Sequence, residues 1–285
     1  MISGAARLAG VIGWPIAHSL SPRLHSYWLA AHGIDGAYVP FAVRKEDFSR
    51  VVSALRLAAF KGLNVTLPHK QAAFAIATRA DEAAHATGAA NLLLFEDGAI
   101  EARNTDVPGL AASLTQGMGR NALAEKSVAI LGAGGAARAA VLASARLGAG
   151  DIRIVAREPR QGHAIAQMFD GKIAAKVAAY SWTDWPRAAK NIALLVNATS
   201  GGMAGAQKLD IGFEHLPLNA VICDLVYNPL ETELLHAARA LGHRTIDGLD
   251  MLMHQAVPAF EAFYGEAPAV TPALRNELKK ALRHG

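Results

Sequence analysis

The chain has 285 residues, 52% of them hydrophobic and 18% charged, which excludes a disordered polymer and supplies core for two α/β domains. Lys plus Arg number 28 against 24 acids, a net +4 spread along the chain without a run of bases, so no nucleic-acid partner is expected. A single cysteine, Cys223, excludes an internal disulfide, no Cys/His spacing suits zinc, and no apolar run is long enough to span a bilayer. The expectation is therefore a cytoplasmic protein without metal or membrane attachment.

In chain order, residues 8–12 read as a buried strand; Gly10, Gly13 and Pro15 within the apolar stretch 8–17 argue against a signal segment. Ser21-Pro22 reads as an N-cap and first helical residue, and the helix stops near Gly33. Strands are expected over 37–43 and 63–66, with a helix whose apolar face carries Val51, Val52, Leu55 and Ala59 between them, and Pro68 opening the next helix. Segments 90–95 and 99–103 flank Asp97-Gly98, a hairpin signal. Helix 108–117 reads as a bridge. Strand candidates then recur with helices between them at 128–131, 152–156, 174–178, 192–197, 221–225 and 244–246. Six such strands predict a doubly wound parallel sheet, and helices over 251–264 and 271–284 close the chain.

The strand at 128–131 runs into Gly132-Ala133-Gly134-Gly135-Ala136-Ala137, a G-x-G-x-x-A turn. Gly132 permits the tight turn, Gly134 lets the backbone approach a pyrophosphate, and the helix N-terminus offers N–H donors and a positive dipole end. A dinucleotide is the expected ligand. At the end of the next strand, Arg157 suits the 2′-phosphate of NADP, with Arg160 close behind, whereas Glu158 is the counter-signal for NAD. NADP is favoured over NAD. Cys223, in a buried-looking strand, reads as an inert core residue. His18 reads as a structural hydrogen-bonder and His69 as a helix-face residue.

Seven motifs in order connect these readings: Pro15 to Pro22, Asn64 to Lys70, Asn91 with Asn104-Thr105-Asp106, the Gly132 turn, Asn197 to Met203, Asp224 to Pro229, and Asp247-Gly248. Together they resemble the shikimate dehydrogenase family over nearly the whole chain. The resemblance implies NADP-linked interconversion of 3-dehydroshikimate and shikimate in a cleft between two α/β lobes. One lobe would be a substrate-binding and catalytic domain at 1–107 plus the returning helices 250–285. The other would be a Rossmann domain at 108–249. Ser19 and Ser21 would offer hydroxyls to the substrate carboxylate, and Asn64, Thr66, Asn91 and Gln255 would bond ring hydroxyls. Lys70 would be the proton donor and acceptor, with Asp106 orienting it. Tyr227 would lie near the substrate. Ala133, Gly135, Ala136, Thr199, Ser200, Leu225 and Gly248 would join Gly132, Gly134 and Arg157 around the cofactor.

The chain departs from the family pattern at Leu92, Val107, Ala156, Glu158 and Asp250, the last of which could simply cap the closing helix. Two other readings stay open beside NADP-dependent shikimate dehydrogenase: an NAD-dependent quinate/shikimate dehydrogenase, and a weakly active homologue with a regulatory role. A glutamyl-tRNA reductase-like enzyme would need a nucleophilic cysteine in the first domain, and the sole cysteine lies at 223. The expected partner is a small-molecule substrate, with the protein a monomer or homodimer.

Overall fold

The computed structural model describes residues 2–96, 98–203, 205 and 209–284. It divides into two compact units, Met1–Asp106 with Leu252–Gly285, and Val107–Met251. No helix among the described residues is long and apolar enough to cross a membrane.

In the first unit, β1 (Arg7–Gly13), α1 (Ser21–Ala31), β2 (Gly36–Ala42), α2 (Phe48–Leu57), β3 (Gly62–Val65) and α3 (Lys70–Ala75) alternate. There follow β4 (Arg79–Ala80), α4 (Glu82–Thr87), β5 (Leu92–Glu96) and β6 (Ala99–Arg103). The sheet order is β2-β1-β3-β5-β6-β4. β1 runs parallel to β2 and β3, while β5 is antiparallel to both β3 and β6. β5 and β6 pair from Leu92↔Arg103 to Glu96↔Ala99, as the hairpin reading requires, although Asp97 lies outside the described residues. Ile12, Leu63, Val65 and Leu93 of the strands pack with Phe48 and Val52 of α2 into one apolar cluster. The amphipathic spacing of α2 exists to bury that face.

Local chemistry moves several expected boundaries. Ser21 is not an N-cap but the first residue of α1; Leu20 takes the cap position without any side-chain bond, and Ser19 Oγ accepts the Ser21 N–H at 3.3 Å. Pro68 does not open α3. Thr66–His69 forms a turn, closed by the His69 N–H donating to the Thr66 carbonyl at 2.9 Å, and the helix starts at Lys70. His69 is not on a helix face: it is buried, with Nε2 2.8 Å from the Val43 carbonyl and its ring stacked on Phe48. Burial lowers its pKa, the Val43 bond opposing this in part. His18 is half-buried and makes no hydrogen bond to any described residue.

The second unit begins with α5 (Asp106–Met118) and continues with β7 (Ser127–Leu131), α6 (Gly135–Arg146), β8 (Asp151–Ala156), α7 (Pro159–Phe169) and β9 (Lys176–Ser181). Then come α8 (Trp185–Ala188), β10 (Ile192–Asn197), β11 (Val221–Asp224), α9 (Glu233–Ala240) and β12 (Thr245–Ile246); of the closing helices, α10 (Gly248–Tyr264) starts in this unit but belongs to the first from Leu252 on, as does α11 (Pro272–His284). All six strands are parallel, in the order β12-β11-β10-β7-β8-β9. This is the doubly wound arrangement, with its direction reversal between β7 and β10.

β9 starts and ends later than its apolar residues suggest. Its limits follow the pairing with β8, from Asp151↔Lys176 to Ala156↔Ser181, and Ala174 and Ala175 stay in the preceding bend. α10 begins at Gly248 rather than 251, so Asp250 lies inside its first turn and does not cap it; Asp247 Oδ1 takes the Leu249 N–H at 3.1 Å. Cys223 is buried in β11, and burial raises its thiol pKa well above the ordinary range, in keeping with an inert core residue.

Candidate active site

The polar residues of the first unit gather because of topology. β1 and β3 are parallel, so their carboxyl ends reach the same edge of the sheet, where Ser19 and Ser21 follow one and Thr66 follows the other. β5 runs the opposite way, which brings its start, and Asn91 before it, to that edge opposite Asn64. β6 is antiparallel to β5, so Asn104-Thr105-Asp106 leaves the sheet there too. Carboxyl ends of parallel strands are where α/β sheets bind ligands.

Asn64, Asn91, Asn104, Thr105, Asp106 and Gln255 are all buried. The Lys70 ammonium donates to Asp106 Oδ2 at 2.5 Å, and the two side chains are only 16% and 6% exposed. The pair is thus not the solvated surface bridge that a Lys and an Asp usually make. Asp106 Oδ1 lies 3.0 Å from Asn91 Nδ2, which also reaches Thr105 Oγ1 at 2.8 Å and Gln255 Oε1 at 3.1 Å. Two amide hydrogens are therefore shared among three acceptors. The Thr105 N–H returns a bond to Asn91 Oδ1 at 2.7 Å, and Gln255 Nε2 is tied to the Leu252 carbonyl. Asn64 Nδ2 donates to the Asn91 carbonyl at 3.2 Å, and its Oδ1 accepts from Tyr38 Oη at 2.7 Å. The hydroxyls of Ser21 and Thr66 make no hydrogen bond among the described residues.

Lys70, Asp106, Asn64, Asn91 and Gln255 therefore form one connected polar cluster, and Ser19, Ser21 and Thr66 follow strands that end on its edge. Sequence reasoning missed Tyr38, whose place in a strand disguised its hydroxyl. It named Asn104 within a motif but gave it no role; its amide bonds Thr87 Oγ1 and the Ala89 carbonyl and so holds the turn before Asp106.

In the second unit, the Gly132–Gly135 turn follows β7 and residues 198–203 follow β10, the two strands that flank the direction reversal. Gly132 has φ +107°, and a Cβ there would stand 3.0 Å from both the Ala198 carbonyl oxygen and Thr199 Cγ2. Gly134 is the N-cap of α6 and no side chain caps the helix, which leaves its first N–H groups to meet an anion. Buried Ala137 lets α6 lie against the sheet. Arg157, exposed beyond β8, holds its guanidinium 5.7 Å over the Trp182 ring. Leu225 follows β11, and a Cβ on Gly248 would meet its carbonyl oxygen at 2.4 Å, so those two adjoin; half-buried Tyr227 lies two residues on. Ala133, Gly135, Ala136, Thr199 and Ser200 line the same two turns. Gly132→Ala is expected to cost ~1–2 kcal/mol of stability and to weaken dinucleotide binding several-fold, checked by urea unfolding and a fluorescence titration.

A family model described as the shikimate dehydrogenase substrate binding domain matches residues 11–93. The shikimate dehydrogenase (NADP(+)) of Paramagnetospirillum magneticum is 44% identical over 275 residues, covering 96% of this chain and 98% of that protein. A shikimate dehydrogenase solved in complex with NADP+ superposes with a TM-score of 0.90 at 31% identity, covering 99% of this chain and 98% of the other. The quinate dehydrogenase of Corynebacterium glutamicum, solved in complex with NAD, superposes with a TM-score of 0.87 at 29% identity over 96% and 99% of the two chains.

Proposed function

The chain belongs to the shikimate dehydrogenase family, and on that premise we propose that it interconverts 3-dehydroshikimate and shikimate using NADP. The observation that carries the reading is the Lys70–Asp106 pair, with Asp106 buried and Lys70 largely shielded from water, beside a cluster of uncharged hydrogen-bonding side chains. When bound, the nicotinamide would supply or accept the hydride. A ketone that receives hydride on carbon needs a proton on oxygen, and Lys70 Nζ gives it; in the oxidative direction the same nitrogen takes it back. Asp106 Oδ2 aims the ammonium, while Asn91 fixes the other carboxylate oxygen. Asn64, Thr66, Asn91 and Gln255 bond ring hydroxyls, and an analogue lacking one leaves a buried polar group unpaired. Ser19 and Ser21 hold the carboxylate, and Tyr227 lies beside the substrate.

The residues of the second unit fit the dinucleotide: an uncapped helix N-terminus behind a turn whose first glycine is left-handed. Gly132, Ala133, Gly134, Gly135 and Ala136 cradle the pyrophosphate, Thr199, Ser200, Leu225 and Gly248 line the remainder, and Arg157 receives the 2′-phosphate. Residues 1–107 with 250–285 serve as the substrate domain and 108–249 as the cofactor domain. Steady-state kinetics with shikimate and quinate, each with NADP+ and NAD+, test the reading. The highest kcat/KM is expected for shikimate with NADP+. No detectable NADP+-linked oxidation of shikimate overturns it, and a preference for quinate with NAD+ assigns the chain to the quinate branch.

A further inference from the structure

Asp224, the last residue of β11, is fully buried and takes no part in the chemistry above. It stands beside Asn197, the last residue of β10, which is also fully buried. Each oxygen of Asp224 has a defined task. Oδ1 accepts from Asn197 Nδ2 at 2.9 Å and from the Val226 N–H at 3.0 Å. Oδ2 accepts from Thr232 Oγ1 at 2.7 Å, and the Thr232 hydroxyl in turn accepts the Leu235 N–H at the start of α9. On the other side, Asn197 Nδ2 also donates to the Gly201 carbonyl at 3.0 Å. Asn197 Oδ1 accepts from the Thr199 N–H at 3.1 Å and hydroxyl at 2.7 Å, and Thr199 Oγ1 accepts the Gly201 N–H at 2.9 Å.

One carboxylate thus binds the loop after β10 to the loop after β11. These are the loops assigned above to the dinucleotide through Thr199, Ser200 and Leu225, and the Gly132 turn rests on the first of them. We propose that Asp224 is a positioning residue for the cofactor, clamping both loops in the geometry that receives it. The inference rests on the cofactor reading of the preceding subsection.

No cation pairs with Asp224 among the described residues, and a buried, unpaired carboxylate is a costly way to hold a fold, since neutral or apolar groups of similar size do so with less desolvation. Burial pushes the Asp224 pKa up to about 6, with the bonds from Thr232, Val226 and Asn197 opposing the rise. What the carboxylate provides that a neutral group cannot is acceptor capacity on both oxygens for three donors from separate segments. An amide at this position turns a donor toward the Thr232 hydroxyl and breaks the set.

The test compares the wild type with Asp224→Asn, Thr232→Val and Thr232→Ser. NADPH fluorescence titration gives Kd, saturation kinetics give KM for shikimate at high NADP+, and thermal melts report folding. Asp224→Asn is expected to raise the NADPH Kd by about tenfold while KM for shikimate stays within about twofold and the melting temperature does not fall. Thr232→Val is expected to raise Kd several-fold, and Thr232→Ser, which keeps the hydroxyl, to restore it. An unchanged Kd in a folded Asp224→Asn protein overturns the clamp alone, as does a Thr232→Ser variant no better than Thr232→Val. A wild type that binds no NADPH overturns the cofactor reading itself and the clamp with it.

Discussion

Replacing Lys70 by alanine is expected to lower kcat for shikimate oxidation by about 10²-fold or more, with a smaller change in KM. The asymmetry follows from the role proposed for the ammonium. Its attraction to a substrate oxygen is modest in the ground state, but proton transfer is complete only as the hydride moves, so the loss falls on the transition state. Lys70→Arg sharpens the test: it keeps the positive charge beside Asp106 yet cannot give up a proton near neutrality, so it should be as impaired as Lys70→Ala. Asp106→Asn keeps a hydrogen-bonding group against Asn91 but removes the charge that aims Lys70, and a smaller fall in kcat is expected. Steady-state kinetics across pH 6–10 check all three. An unchanged kcat in Lys70→Ala, or an active Lys70→Arg, refutes the proton-transfer role.

The strand-and-helix alternation was legible because parallel strands buried on both faces read as short apolar runs between longer amphipathic ones. The Gly132 turn was legible for a related reason: its three small residues answer to local needs, a left-handed φ, an open backbone and a close helix. Boundaries were harder wherever the deciding partner lay elsewhere. Nothing within 174–181 says that β9 must begin at Lys176; Asp151 on the neighbouring strand says it. Likewise Ser21 and Pro68 carry cap and first-turn chemistry by type, but Leu20 takes the cap position before α1, which makes Ser21 the first helical residue, and the turn before α3 takes in Pro68.

The candidate site was legible as motifs and not as a network. Lys70, Asn91 and Asp106 each stood out as polar residues at element ends, and Gln255, inside α10, through the family resemblance. That one Asn91 nitrogen reaches Thr105, Asp106 and Gln255 depends on β5 and β6 reversing direction, which individual motifs do not encode. Tyr38, Asp224 and Thr232 were harder still. Each supports another residue through a single hydrogen bond or a small set, and a tyrosine in a strand or an aspartate at a strand end looks the same whether it does so or faces water.

The second large effect concerns acid stability and rests on His25 in α1. It is fully buried, and neither ring nitrogen has a hydrogen-bond partner among the described residues. Its ring stacks on Tyr38 with centroids 3.8 Å apart and planes 7° from parallel, and Trp28, Phe260 and Phe263 complete an aromatic surround. Burial lowers its pKa from 6.5 to about 3, because charging the ring there strips the imidazolium of water with nothing in exchange. The unfolded chain takes up a proton on this histidine as the pH falls through 6.5, whereas the folded chain does not until about 3. Its contribution to stability is therefore intact above 6.5 and is lost between 6.5 and 3, on the order of 5 kcal/mol over the whole window. Asp224 acts with the opposite sign. Its folded pKa of about 6 lies above the ordinary 3.8, so the folded chain protonates first and gains stability as the pH falls between those values. The wild-type curve alone mixes the two. Comparing it with His25→Phe, which keeps an aromatic ring against Tyr38 but cannot titrate, isolates the histidine, since Asp224 and His69 are common to both proteins. Urea unfolding at pH 7 and pH 5 should show the wild type losing about 2 kcal/mol more than the variant, whatever the fixed offset from repacking. Parallel losses in the two proteins would mean that His25 takes up its proton in the folded state as readily as in the unfolded one.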